Sequence, residues 1–202
     1  MKKYCITALS IFILQSCSHS NKRTAPPRDT IAATDSFFPV TSFIKGQIIT
    51  LGSLPVTPLQ LTTINEKTDS LWIPKKELMP LLLPFLTPVI NETNFTKYFK
   101  ETKFKDQTIN AITFTYDPIN IIPDSITLRR WDVYIDPETG NVIKVFIVKN
   151  IKEYNQIFTQ QLTWKANKLA KITTILNKPG GDSELIKEVV FIWDFADSPN
   201  RQ

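Results

Sequence analysis

Hydrophobic and polar positions alternate with a period of two through most of the chain after residue 107. Such alternation predicts β-strands, because successive side chains of a strand point to opposite faces of a sheet. Short polar turns separate these runs, as at residues 136–140, and they favour an antiparallel meander. The predicted strands are residues 109–116, 128–135, 142–149, 158–165, 169–176 and 185–193.

The chain before residue 107 has a mixed pattern. Apolar positions at roughly helical spacing predict a helix from about residue 36 to Gly52. Residues 59–64 and 70–73 flank a polar turn and predict a hairpin. The predicted fold class is therefore α+β: a curved antiparallel meander of about six to eight strands, with two or three helices packed on one face.

Residues 74–90 are rich in leucine but contain three prolines, which favours a helix from Lys75 that breaks near Pro84. One interpretation is a buried helix that packs on the sheet, and the other is a lid or groove wall for a hydrophobic ligand. Tryptophans on the predicted strands allow the same two interpretations, core packing or a ligand face. The candidate ligand or lid residues are Leu78, Leu82, Phe85, Leu86, Trp131, Trp164 and Trp193.

The N-terminus has the pattern of a secretory signal peptide, with Lys2 and Lys3 before a short apolar run at residues 6–14. The run ends at Leu14-Gln15-Ser16-Cys17, which resembles the bacterial lipobox, although glutamine departs from the usual residue at its position. This resemblance implies cleavage before Cys17 and lipidation of its thiol.

The lipobox divides the chain into three parts. Residues 1–16 are the predicted lipoprotein signal peptide, residues 17–34 the lipidated cysteine with a disordered polar tether, and residues 35–202 a single α+β domain. Ser18 after the cysteine is similar to the pattern of lipoproteins sorted to the outer membrane. We therefore expect attachment to that membrane through the lipid anchor, on its periplasmic face.

Composition excludes several classes of site. The only histidine and both cysteines lie within the first nineteen residues, so the predicted domain has no imidazole or thiol for a triad, a zinc site or a disulfide. The net charge of +5 is concentrated at the N-terminus: from residue 35 onward, 19 basic residues face 18 acidic ones. This near-neutral balance argues against a nucleic-acid partner. No cofactor or metal motif is found.

Carboxylates are the remaining acid–base groups of the predicted domain. Two of them flanking a cleft could hydrolyse a glycosidic bond, whereas the alternative is a role in turns and surface ion pairs. The candidates are Asp117, Asp132, Asp136, Glu138 and Asp194.

The chain as a whole is similar to exported lipoproteins of the Bacteroidota type, and residues 131–145 resemble the hairpin of PepSY-type periplasmic modules. A curved sheet with helices on one face would also resemble the LolA/LolB-type lipoprotein carriers. The leading hypothesis is a non-enzymatic binding or structural module with an unknown protein or hydrophobic ligand as its partner. A carrier or sensor of a hydrophobic ligand and a carboxylate-based hydrolase are the alternatives.

Overall fold

One antiparallel sheet of nine strands runs through residues 36–194, the part of the chain that the computed structural model describes. The predicted signal peptide, Cys17, the tether and the last eight residues lie outside the described residues. The strands are β1 Leu59–Ile64, β2 Lys67–Trp72, β3 Phe99–Asp106, β4 Ala111–Pro118, β5 Leu128–Ile135, β6 Val142–Glu153, β7 Gln156–Lys165, β8 Leu169–Asn177 and β9 Ser183–Ile192.

The strand order is β2-β1-β9-β8-β7-β6-β5-β4-β3, so β3 to β9 form a meander in which each strand pairs with the next in sequence. The β1–β2 hairpin joins this meander by pairing β1 with β9. Asn65 and Glu66, both with positive φ, form the two-residue turn of the hairpin, a geometry that matches the twist of its strands. Strands β2 and β3 are consequently the two edges of the sheet.

Within residues 36–194, three helices precede or interrupt the strands: α1 Val40–Ser53, α2 Lys75–Leu81 and α3 Leu83–Leu86. Pro80 lies inside α2. The backbone departs from helical geometry at Leu82, and Pro84 lies in the first turn of α3. A proline lacks the amide donor that continues a helix and restricts the residue before it, which explains the short, broken segment.

The helices pack against one face of the sheet, which we call the covered face and define by Trp131, Val133, Ile147, Leu162 and Trp164. These five side chains are at most 2 % exposed and belong to one core cluster with the buried residues of α1 and α2. The alternating side chains of the same strands form the opposite face, which we call the open face. Most of these side chains remain half-buried or exposed.

Lys149 fastens the broken helical segment to the sheet. It lies on β6, is only 4 % exposed, and its Nζ donates hydrogen bonds to the carbonyl oxygens of Pro84 at 2.6 Å and Thr87 at 2.9 Å. Burial without a carboxylate disfavours the ammonium form and lowers the pKa of Lys149 to about 8. The lysine thus gives the end of α3 the hydrogen-bond donors that it lacks.

The sheet-rich antiparallel architecture with a few helices is confirmed, and the nine strands are one more than the upper end of the expected range of about six to eight. The strand missed in the sequence is β3, whose side chains after Phe99 are mostly charged and exposed. Charged residues are typical of an edge strand, because they discourage pairing with another chain, and they remove the hydrophobic alternation by which a strand is recognised.

Candidate ligand-binding groove on the open face

The seven residues that the sequence suggested for a hydrophobic ligand or lid lie in the packed core. Six are buried and Leu86 is half-buried against the same cluster. The Phe85 ring meets Trp164 edge-on at 5.4 Å between centroids, and Trp164 in turn contacts Trp193 at 5.2 Å. Trp131 stacks on Tyr116 at 4.5 Å. This packing agrees with the interpretation as core, and the groove described below is lined by other side chains.

The candidate carboxylates are separated by the fold into different environments. Asp136 is in the β5–β6 turn, where its carboxylate accepts hydrogen bonds from the amides of Glu138 and Thr139, and Asp194 follows β9. Asp132 is buried on β5 and binds Arg130, with Arg130 Nε 3.2 Å from both carboxylate oxygens. Asp117 on β4 binds the same guanidinium at 3.6 Å. Arg130 therefore joins two of the five candidates in one ion-pair network.

A groove of about 710 Å³ crosses the open face over β5 to β9. Its lining combines four cationic side chains, one buried carboxylate, two aromatic rings and several apolar groups. The lining residues are Arg130, Asp132, Tyr134, Lys144, Phe146, Thr163, Lys165, Leu169, Lys171 and Val190.

Strand register explains why these residues meet. Tyr134, Lys144, Lys165 and Leu169 are successive partners across β5, β6, β7 and β8. Directly opposed residues of an antiparallel pair have Cβ atoms about 5 Å apart on the same face. A row of four side chains thus forms along the groove, although the residues are distant in sequence.

Lys144 and Lys165 form what we call the lysine pair, two like charges placed directly opposite each other. Within residues 36–194 neither forms an ion pair with a carboxylate, whereas Lys171 binds Glu188 at 3.1 Å and Arg130 binds Asp132 at 3.2 Å. Like charges at opposed positions destabilise a sheet, so the pair has an electrostatic cost, which the negative charges of Asp132 and Asp106 offset only in part at Lys144.

Lys144 is further shaped by its neighbours. Its Nζ lies 3.6 Å from the centroid of the Tyr134 ring, a cation–π contact. Burial, followed by the positive charge of Lys165, lowers the pKa of Lys144. Both effects penalise the ammonium, the charges of Asp132 and Asp106 favour it to a smaller extent, and an anion bound between the two lysines would favour it further.

An apolar strip begins at Leu169 and Val190, which line the groove, and extends beyond the groove towards the β2 edge of the sheet. We define it by Leu169, Val190, Ile192, Leu59 and Leu61, all half-buried on the open face. At the end of the strip, Trp72 of β2 pairs with Leu59 and is 58 % exposed. The open face therefore has a cationic half and an apolar half that meet at Lys165 and Leu169.

Residues 36–194 contain no group of three or more side chains of the types that hold a metal ion. None of the helices in this part of the chain is long and apolar enough to cross a bilayer. Comparisons with protein-family profiles, with curated proteins and with solved structures find no match for the chain.

The sequence reasoning did not single out Lys144 and Lys165, although both lie in predicted strands. Lysines on strands are ordinarily solvated, and only the pairing of β6 with β7 makes these two neighbours. The register that opposes them is set by the two-residue turn Tyr154-Asn155, which joins β6 to β7 with positive φ at both residues. No turn was predicted at these two residues, so the two strands could not be aligned from the sequence.

Proposed function

We propose that this chain is a lipid-anchored, non-enzymatic binding module of the periplasm, and that it binds an anionic ligand in the groove of the open face. The lysine pair is the observation that carries the proposal. Two opposed cations that form no ion pair with a carboxylate of residues 36–194 lower the stability of a sheet, and a bound anion supplies a counter-charge between them.

The lipid anchor is the second part of the proposal, and it rests on the lipobox that ends at Cys17. An acylated cysteine followed by a polar tether would hold the domain near the periplasmic face of the outer membrane. The position of the domain beside a bilayer brings membrane-derived anions within its reach.

Binding has more support than hydrolysis. The chain has no histidine or cysteine after residue 19, and Arg130 binds both Asp117 and Asp132. A glycosidase needs one carboxyl group that donates a proton and a second that remains ionised across an open cleft. Two carboxylates held by one guanidinium do not present that arrangement.

Anion binding is tested by titrating the full chain with inorganic phosphate and following backbone amide shifts by NMR. All samples carry Cys17→Ser so that no acyl group interferes. We expect saturable shifts at residues 144 and 165, and their loss in the Lys144→Met/Lys165→Met variant. Lys187→Met is the matched control. Lys187 is an exposed lysine of β9 that pairs with Thr174, and both residues lie on the face of the sheet opposite the groove. The anion site would be refuted if the double variant showed shifts as large as those of the chain with both lysines. Shifts that never saturate with phosphate would refute it as well.

The anchor is tested separately by metabolic labelling with a radioactive fatty acid and by cell fractionation. We expect label in the wild-type chain and its recovery with the outer membrane. The Cys17→Ser variant should lose both, while a Cys5→Ser control should retain them. Label that persists without Cys17, or a wild-type chain released from membranes by salt, would contradict the anchor.

A further inference from the structure

The two halves of the open face form one continuous row. Lys144 opposes Lys165, Lys165 opposes Leu169, Leu169 opposes Ile192, and Ile192 opposes Leu59. A parallel row beside it leads from Lys171 through Val190 to Leu61. The first row changes from cationic to apolar towards β1, and so does the second row from Lys171 onward. On the other side of Lys171 the second row continues through Thr163 and Phe146 to the buried Asp132, so the first row alone has a single axis of polarity.

The dimensions of this surface suit an extended chain. Neighbouring strands are about 4.8 Å apart, so the distance from β7, which carries Lys165, to β2, which carries Trp72, is about 19 Å. The apolar strip, from Leu169 on β8 to Trp72, covers about 14 Å of this distance, which is close to the length of a twelve-carbon chain. The charged and apolar parts thus have the proportions of a head group and a hydrocarbon tail.

Burial and charge indicate the same type of ligand. The five side chains of the apolar strip are half-buried, so they keep apolar surface that a bound hydrocarbon could remove from water. At the other end, the lysine pair has no carboxylate partner within residues 36–194. A neutral lipid would leave the cations unpaired, and a small anion would leave the strip uncovered.

We propose that the occupant of the groove is an anionic amphiphile with a single hydrocarbon chain. Its head group, a carboxylate or phosphate, lies between Lys144 and Lys165, and its chain lies along the apolar strip towards Trp72. This inference rests on the proposed anion-binding function and names the class of the ligand. The inference also places the hydrophobic ligand on the open face, whereas the tryptophans that the sequence suggested as ligand residues lie on the covered face.

The test compares laurate, dodecanol and acetate by isothermal titration calorimetry, below the micelle concentration, on the full chain with Cys17→Ser. We expect laurate to bind at least about tenfold more tightly than dodecanol, which lacks the charge, and than acetate, which lacks the chain. Shortening the carboxylate by two methylenes should weaken binding by about tenfold, because each buried methylene contributes to transfer from water. This series needs no substitution in the groove and therefore does not depend on the folding of a groove variant.

Variants then assign each half of the ligand. Lys144→Met/Lys165→Met should reduce laurate affinity by about tenfold and leave dodecanol unchanged, whereas Leu169→Thr/Ile192→Thr should weaken both long-chain probes. Lys187→Met should behave like wild type. The amphiphile proposal would be overturned if affinity did not depend on chain length. It would also be overturned if laurate and dodecanol bound with equal affinity.

The outcomes distinguish this inference from the function on which it rests. If phosphate binding still requires the lysine pair but the affinity for carboxylates does not depend on their chain length, the amphiphile proposal is refuted and the anion site stands. No saturable phosphate or laurate binding would refute both. Binding to phosphatidylglycerol vesicles that needs the lysine pair, without binding of monomeric laurate, would identify a membrane-contact surface and overturn the single-ligand proposal.

Discussion

The two faces of the sheet are built from the same strands, but their side chains have different partners. Trp164 is fully buried on the covered face against Phe85, whereas the next residue, Lys165, is exposed on the open face opposite Lys144. Alternation along one strand thus places a stabilising contact and a repulsive one at adjacent positions. The comparison suggests that the covered face supplies most of the stability, which leaves the open face free to carry charges that lower it.

The largest difference between the faces should appear at neighbouring positions of β7. Trp164→Ala is expected to lower the free energy of unfolding by about 3–5 kcal/mol, because it leaves a cavity among buried aromatic rings. Thr163→Ala, in the groove, should lower it by less than about 1 kcal/mol. Urea unfolding measures both values, and similar losses at the two positions would contradict the division between faces.

Arg130→Gln tests the ion pair of the open face that has a buried carboxylate. Removing the guanidinium leaves the Asp132 carboxylate, whose side chain is 4 % exposed, without its partner. We expect a loss of about 2 kcal/mol, below the 3–5 kcal/mol of a fully buried pair because the side chain of Arg130 is 47 % exposed. Adding Asp132→Asn should recover most of the loss in urea unfolding. A double variant as unstable as Arg130→Gln would show that the carboxylate is not the cause.

The covered face should impose a characteristic pH dependence through Lys149 and Tyr116. Lys149 releases its proton near pH 8 in the folded chain and near 10.4 when unfolded, so the free energy of unfolding should rise by about 2 kcal/mol between pH 8 and 10. Burial raises the pKa of Tyr116 above its ordinary value of 10.0, so stability should fall again above pH 10.

Urea unfolding at several pH values checks this profile. In Lys149→Met the rise between pH 8 and 10 should be reduced to what the other groups contribute, while the fall above pH 10 remains. Tyr116→Phe should keep the rise and reduce the fall. A rise of full size in Lys149→Met would show that another group is responsible.

The smallest expected effect is a gain in stability from relieving the lysine pair. Lys165→Met should raise the free energy of unfolding by about 0.5 kcal/mol, because it removes one of two opposed like charges. The same change should weaken phosphate binding. Lys187→Met should alter neither quantity, and a loss of stability in Lys165→Met would contradict the repulsion at this position.

Several elements could be predicted because their signals are local. The strand at residues 128–135 is observed with the predicted bounds, and the helical segment beginning at Lys75 breaks before Pro84 as expected. Strand β3 could not be recognised, since an edge strand needs few buried side chains. The helix predicted from about residue 36 begins at Val40, because the backbone before it is hydrogen-bonded elsewhere, with the amide of Phe37 donating to the carbonyl of Glu92 and that of Phe38 to the hydroxyl of Tyr116.

The candidate site was harder to predict than the fold. The tryptophans were recognised as residues of the sheet, but which face the helices would cover depends on how α1 and α2 dock after the strands have paired. Asp132 was among the candidate carboxylates, and its contact with Arg130 two residues away is local to β5. The lysine pair joins β6 to β7, and its opposition depends on the register of that pairing.

Local chemistry alone specified where most strands and turns lie, because alternation, prolines and glycines act over a few residues. It also specified that the domain lacks imidazole and thiol groups. Packing of the helices decided which side of each strand became core, and strand register decided which charges met. Both depend on contacts between residues far apart in sequence, and a one-residue shift in register would have sent every side chain of a strand to the other face.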